Sequence, residues 1–343
     1  MGSHVALALR GRGEDVTVLG RRAYPWLAAK GVRCVRADVC DAAAVRDACV
    51  GTDAVFHVAA KVGIWGPRRE YQAVNVDGTR NVIDACRAEG VARLIYTSTP
   101  SVVFGRMELC GVDESQPYPK THLTAYAATK AEAEGMVLAV NGPGLATVAL
   151  RPHLVWGPGD TNLIPRILDR ARHGRLVQVG KGENLVDLTY IDNAATAHLN
   201  ACDALAVGRA RGGRAYFISQ GEPVPLWDWL RALLAALGVP GIRRSVSFGL
   251  AYRMGALLEV VYAAFRLRSE PAMTRFLACQ LAESHFFSID AARRDLGYEP
   301  SVSNDEGLRR LVEWYKGVDW IATAGPRRIN RRDRADSHGP RMC

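Results

Sequence analysis

Two side chains four residues apart, Tyr126 and Lys130, have the types and the spacing to move a proton. They fall in LTAYAATKAEAEGMVLAV, whose alanines and glutamates favour a helix, and a four-residue step puts both on one face, a turn apart. A phenol in water titrates at about pH 10, and a neighbouring cation stabilises its ionised form. Such a pair can donate a proton and recover it near neutrality. With 11 tyrosines and 6 lysines in 343 residues, chance gives about 0.2 pairs at this spacing, so the pair alone is weak evidence. It gains weight from LIYTSTPSVVFG upstream, a β-branched run ending in the hydroxyls of Thr97, Ser98 and Thr99, the last 27 residues before Tyr126. That run reads as a buried strand giving way to a loop.

The elements that must position these groups alternate in type. MGSH runs directly into VALALRGRG, a helix pattern, and residues 14–20 read as a strand. VRCVRAD (32–38) reads as a strand, AAAVRDACV as a helix, DAVFHVAA (53–60) as a buried strand, and residues 71–90 as a helix closed by glycine. A further strand, ATVALRPHLVWGPGD, ends in a Pro/Gly loop at 157–160. Alternation from 15 to 157 predicts an α/β fold with a Rossmann-like, doubly wound parallel sheet. A dinucleotide-binding unit of that kind needs a strand and a glycine-rich turn before its first helix, so that backbone amides face the pyrophosphate. Both are missing, and Gly2 sits where the last glycine of the turn would fall. Because the later strands and helices keep the expected order, truncation or a misplaced start is the preferred account over a unit that never existed.

After residue 157 the regularity weakens. NLIPRILDRARHG reads as helix, LVQVG as strand, LVDLTYIDNAATAHLNACDAL as strand then helix, and AYFIS as strand. The expectation is an NADP-binding domain over 1–157, a smaller C-terminal α/β substrate lobe over 158–322 laid on the strand ends, and a basic tail over 323–343.

Several residues of the first half suit a dinucleotide. Arg21 and Arg22 come after the first strand, where an NAD site would place a carboxylate for the ribose 2′-hydroxyl, and two guanidiniums there suit a 2′-phosphate; the alternative is two solvated loop arginines. Asp38 ends a strand and either accepts from an adenine amine or caps the next helix. Ala59 and Ala60 are small enough to let backbone approach a flat cofactor, or are plain core. His57 reads as a satisfied core histidine, and one of Asn75 and Asn81 is expected to hold neighbouring backbone.

Composition bounds the rest. At 48% apolar and 23% charged, the chain reads as an ordinary globular protein able to bury a large core. Its formal charge of +9 lacks the aromatic-interleaved basic face or zinc spacing of a nucleic-acid binder, and part of the excess sits in RRINRRDRADSHGPR, read as a solvated tail or a contact with anionic lipid. Eight cysteines without CxxC or framework spacing, and no signal peptide, indicate a reducing cytosol and thiols packed as small apolar residues. No stretch is apolar enough to span a bilayer. The most apolar helix, within 245–267, lines a substrate channel, lies in an interface or is core.

Together YTSTPSVVFG, YAATK, LRPHLVWGPGD, LVDLTYIDNAATAH and AARRDLGYEP resemble the extended short-chain dehydrogenase/reductases, in the 3β-hydroxysteroid dehydrogenase branch, over roughly residues 2–317. The resemblance implies that Thr99, Tyr126 and Lys130 are catalytic, with threonine where the family usually has serine. It also implies cofactor contacts from Gly2, Arg21, Arg22, Asp38, Val39, Ala59, Ala60, Asn75, Tyr126, Lys130 and Pro152. The implied cofactor is NADP(H), with NAD(H) second, and Lys130 is expected to hold the nicotinamide ribose and lower the Tyr126 pKa. Within the branch, TSTPSV, WGPGD and the YIDNAA segment point to reduction of a β-keto acid carrying a long alkyl branch, with Arg151, His153 or Arg166 facing its carboxylate. Oxidation of a 3β-hydroxysteroid with NAD is the alternative, and a catalytically silent nucleotide-binding scaffold is the reading from another class. The expected partner is a long-chain apolar small molecule, in a cytoplasmic homo-oligomer, with a peripheral membrane or partner-enzyme contact left open.

Overall fold

A computed structural model of the protein describes residues 1–105 and 107–317, so the expected tail over 323–343 and the last residues of the 158–322 lobe lie outside the described residues. The chain opens with α1 (Gly2–Gly11), β1 (Thr17–Gly20), β2 (Arg33–Arg36), α2 (Ala42–Cys49) and β3 (Ala54–His57). A π-turn (Gln72–Asp77) leads into α3 (Gly78–Ala88), then β4 (Arg93–Thr97), α4 (Ala125–Ala139) and β5 (Ala146–Pro152). The second half contributes α5 (Leu163–Arg172), α6 (Ile191–Ala206), β6 (Arg214–Ile218), α7 (Leu226–Ala236), α8 (Phe248–Ala264), α9 (Arg275–Ala282) and α10 (Asn304–Gly317).

β4 is central because it is apolar on both sides: Leu94, Ile95 and Tyr96 are fully buried. Alternation sends Leu94 and Tyr96 to the face covered by α2, α3 and α4, where Val45, Ile83, Cys86 and Val137 meet them. Ile95 points the other way, into a core with Ala197 and Ala201 of α6 and Tyr216 and Ile218 of β6. The sheet order is β6-β5-β4-β3, every neighbour parallel, so the carboxyl ends of these strands share one edge. This is the doubly wound architecture expected from the alternation.

Two features depart from the expectation. β6, the AYFIS strand assigned to the second lobe, hydrogen-bonds β5 along its whole length, and α6 packs beneath the same sheet, so residue 157 does not divide the layers. The reason is that β6 is as apolar as β5 and needs two covered faces. Conversely β1 and β2 pair in parallel with each other and share no ladder with the four-stranded sheet among the described residues.

A second layer covers the strand ends. Trp156, Tyr190, Trp227, Trp229 and Leu233 form its core with α5 and α7. A small mixed sheet of Leu109–Val112, His285–Phe287, Leu185–Val186 and Val224–Pro225 closes the side. Among the described cysteines, Cys49, Cys86, Cys202 and Cys279 are buried as expected, whereas Cys40 and Cys110 are exposed. No helix among the described residues is long and apolar enough to cross a membrane.

Helix α8 sits on the segment before α9 through Gly255, where an added Cβ would lie 2.6 Å from the Thr274 carbonyl carbon. Glycine to alanine in a helix interior ordinarily stabilises by about 1 kcal/mol. Here the overlap is with backbone and must dominate, so Gly255→Ala is expected to destabilise by about 1–3 kcal/mol in urea titration. A gain in stability would show that α8 is not seated as described.

Candidate active site

The carboxyl ends of β3, β4 and β5 border a cleft of about 400 Å³, and its walls join residues far apart in sequence. Thr97, Ser98 and Thr99 leave β4 at its floor, with the Ser98 N–H donating to the Leu150 carbonyl at 2.6 Å to hold the exit against β5. Thr99 opens a single 3-10 turn, its Oγ accepting from the Ser101 N–H at 3.2 Å. Opposite stands α4, whose start is fixed by the Thr124 hydroxyl accepting from Ala127 N–H at 3.1 Å. That cap places Tyr126 in the first turn, half-buried, with its phenol beside the Thr99 side chain.

One turn on, Lys130 is 2% exposed and its Nζ donates to Tyr96 Oη and to the Thr97 carbonyl, each at 2.6 Å, while lying 4.0 Å from the Tyr96 ring centroid. Burial pushes the amine down to about 7, with the Glu134 carboxylate opposing, and pushes the Tyr126 phenol up to about 12, with the neighbouring Thr99 hydroxyl opposing. The expectation that Lys130 lowers the Tyr126 pKa is thus corrected. The ammonium is turned to Tyr96 and Thr97, and desolvation dominates the phenol. At neutral pH Tyr126 carries its proton.

Gly2, Ala60 and Pro152 line the same cleft as Thr99, Tyr126 and Lys130, with Gly2 opening α1 so that the helix N-terminus faces inward. Other expected cofactor residues are elsewhere. Asn75 is buried in the π-turn, where it accepts from the Lys61 N–H at 2.7 Å and donates to the Lys61 carbonyl and Thr129 Oγ, so its amide braces the loop below the cleft. Asn81 likewise donates to the Val39 carbonyl at 3.0 Å. Val39 itself packs on Gly78, where a Cβ would come within 2.7 Å of it, which makes it a packing residue. Asp38 accepts from the Cys40 N–H, which holds its carboxyl below the usual range, and the cap of α2 is Asp41. Ala59, Arg21 and Arg22 are exposed and do not line the cleft; the two arginines end β1, with Arg21 in electrostatic reach of Asp38.

None of the three cations considered for a carboxylate faces the cleft. Arg151 makes a bidentate pair with Glu134, at 2.6 Å and 3.1 Å, both groups fully desolvated, and Tyr118 Oη donates to the same carboxylate at 2.5 Å. His153 is buried against His285 at 3.2 Å and held neutral by burial, and Arg166 pairs with Glu270 at the surface. His57 is the satisfied core histidine anticipated, bonded to Thr79 Oγ at 2.9 Å, with burial taking it down to about 3.

The opposite wall comes from the segment after β5 through WGPGD to the start of α5, joined by the first residue of α6: Leu154, Val155, Gly157, Asn162, Leu163 and Ile191. Gly157 has φ of 142°, and a Cβ there would lie 2.5 Å from Ile191, so the loop can run this close only with glycine. The Pro/Gly cluster marked a loop without marking a wall. Ser98, named in the sequence as one of three hydroxyls ending β4 but not singled out, has its Oγ buried at the cleft with no hydrogen-bond partner among the described residues.

A parallel α/β fold with a hydroxyl, a protonated phenol and a buried amine converging at the strand ends defines an oxidoreductase of the extended short-chain dehydrogenase/reductase class. Residues 2–248 match the 3-beta hydroxysteroid dehydrogenase/isomerase family, and the chain belongs to it. It is 52% identical over 314 residues to a 2-alkyl-3-oxoalkanoate reductase of Stenotrophomonas maltophilia (strain K279a), covering 91% of this chain and 95% of that one. It is 33% identical over 281 residues to a sterol-4-alpha-carboxylate 3-dehydrogenase, decarboxylating, of Mus musculus, covering 80% and 78%. Among solved structures, MoeE5 in complex with UDP-glucose and NAD superposes with a TM-score of 0.71 at 25% identity, covering 92% of this chain and 95% of that one.

Removing one member of a fully buried ion pair strands the other charge. Arg151→Ala is therefore expected to cost about 3–5 kcal/mol in denaturant unfolding, against less than about 0.5 kcal/mol for Arg166→Ala at the surface. Equal effects would mean that the Arg151–Glu134 pair is hydrated.

Proposed function

We propose that this chain reduces the 3-oxo group of a 2-alkyl-3-oxoalkanoate to the 3-hydroxy group, with NADPH as reductant. The observation that carries the reading is the Tyr126 phenol, kept protonated by burial and set beside Thr99 on the floor of a cleft whose walls include Val62, Leu154, Leu163 and Ile191. A protonated acid beside a hydroxyl suits an oxygen that gains negative charge, and apolar walls suit alkyl branches. The 52% identity to a chain named for this reaction supports the substrate class.

A nicotinamide dinucleotide fits what the cleft offers, and when bound it supplies the hydride. Gly2 and the first N–H groups of α1 suit its phosphates, Pro152 and Ala60 its flat ring, and Lys130 its ribose hydroxyls. Arg21 and Arg22, exposed at the end of β1, suit a 2′-phosphate, which favours NADPH. At the reacting carbonyl, Thr99 donates one hydrogen bond and Tyr126 a second, and the phenolic proton passes to the oxygen as charge grows there. Lys130 acts through position: its bonds to Tyr96 and the Thr97 carbonyl hold α4, and with it Tyr126, over the end of β4.

NADPH consumption by the full chain, with a 2-alkyl-3-oxoalkanoate and with a 3-ketosteroid as rival substrates, tests the reading. Turnover of the oxoalkanoate is expected to dominate, and Tyr126→Phe to lower kcat by about 10² to 10⁴ with an unchanged circular dichroism spectrum. A loss below about tenfold removes Tyr126 as the acid, and a preference for the steroid removes the substrate class.

The cofactor choice has its own check. Arg21→Ala/Arg22→Ala is expected to raise the KM for NADPH by about tenfold or more, since charge-assisted hydrogen bonds are lost, and to leave the KM for NADH unchanged. A wild-type preference for NADH, or equal effects on both, refutes the assignment.

A further inference from the structure

Leu154 is held in a backbone conformation that leucine rarely adopts. Its φ is 39°, and among the described residues the other non-glycine position with positive φ is Arg266, at the exposed end of α8. In that left-handed region the Cβ crowds the backbone, a cost that glycine escapes and asparagine feels less. Such a residue persists where its surroundings over-determine it, and here they do. On one side the His153 N–H donates to the Ile218 carbonyl at 3.1 Å, and the Thr189 hydroxyl donates to the His153 carbonyl at 2.6 Å. On the other, Val155 and Trp156 pair in parallel with Thr189 and Tyr190, and Trp156 is fully buried. The chain leaving β5 therefore makes its turn at Leu154.

A turn alone selects glycine. The same wall uses one three residues on, at Gly157, where Ile191 leaves no room for a Cβ. At position 154 a branched side chain is kept in spite of the backbone, and it lines the cleft of Thr99 and Tyr126 with Val155, Leu163 and Ile191. The acidic member of the lining, Asp160, is turned to the start of α5, where its carboxylate accepts from the N–H groups of Asn162, Leu163 and Ile164. Beside the strained position the wall thus offers hydrocarbon, and hydrocarbon is what it can recognise.

We infer that Leu154 is a specificity-determining residue, its side chain packing against an alkyl chain of the bound substrate. This rests on the reduction of a 2-alkyl-3-oxoalkanoate proposed above and adds the residue that discriminates by alkyl length. The pinned backbone gives the side chain one fixed position, so the space left for the alkyl chain has a fixed edge.

Leu154→Asn separates the side chain from the backbone, because asparagine tolerates the left-handed region while an amide replaces the branched methyls. The full chain and its variants are assayed for kcat/KM with NADPH on a long-chain 2-alkyl-3-oxoalkanoate and on its short 2-methyl homologue. Leu154→Asn is expected to lower the long-chain value by about tenfold or more and the 2-methyl value by less than about threefold, with the KM for NADPH unchanged. Leu154→Gly, which frees the backbone and opens space, is expected to give the same split and to melt above Leu154→Ala, which keeps the strain without the side chain. Equal losses on both substrates, a raised KM for NADPH with chain-length selectivity intact, or Leu154→Ala melting above Leu154→Gly overturns the inference alone. A wild type that turns over neither oxoalkanoate overturns the parent reading and the inference together.

Discussion

One ammonium joins the helix that carries the phenol to the strand that carries the hydroxyls. Lys130 reaches from α4 to the Thr97 carbonyl, the last of β4, and to the Tyr96 phenol on the strand face beneath α4. Burying an amine this deeply is unfavourable, and the shift of Lys130 down to about 7 expresses it. Two short charge-assisted hydrogen bonds and the ring face offset that penalty only if α4 lies at one height and rotation over β4. The height of α4 in turn sets where Tyr126 meets Thr99. A contact that looks like a detail of the core therefore fixes the geometry at which a proton would be delivered.

The same helix extends the device at four-residue steps. Tyr126 faces the cleft, Lys130 the strand end, and Glu134 the Arg151 guanidinium, so one face of α4 runs from acid through amine to carboxylate. Glu134 is fully buried, and its charge opposes the loss of the proton from Lys130 while Arg151 and Tyr118 satisfy its oxygens. Removing Arg151 from the substrate side and assigning it to Glu134 changes its meaning. It is a support for the amine at second hand, held over the Phe217 ring with its Cζ 5.0 Å from the centroid.

How much of this was legible in the sequence depends on the kind of signal each feature leaves there. The helix over Tyr126 and Lys130, the strand ending in hydroxyls and the parallel sheet were readable, because alanine content, β-branching and alternation are local signals. Lys130's partner was not. Tyr96 reads as one more apolar strand residue, and only the pleat, which puts it under α4 and not α6, gives its phenol an amine to meet. The strand from Arg214 to Ile218 was legible as a strand but not as a neighbour of β5, since crossover length leaves sheet order open. Asn75 showed as a poor helix former, and its π-turn explains why it is tolerated there. From that turn its side-chain amide reaches both the N–H and the carbonyl of Lys61.

The division of the strands separates two tasks. Thr99, Tyr126, Lys130, Ala60 and Pro152 all stand at the ends of β3, β4 and β5 or on helices clamped to them, and these strands are laddered together. Arg21, Arg22 and Asp38 stand at the ends of β1 and β2, which among the described residues are laddered only to each other. Backbone hydrogen bonds fix β3, β4 and β5 against one another, whereas β1 and β2 meet the sheet through side chains such as Leu19 and Val39 in the core beneath α2 and α3. A proton transfer needs fixed distances and angles, and ladders between neighbouring strands supply them at the ends of β3, β4 and β5.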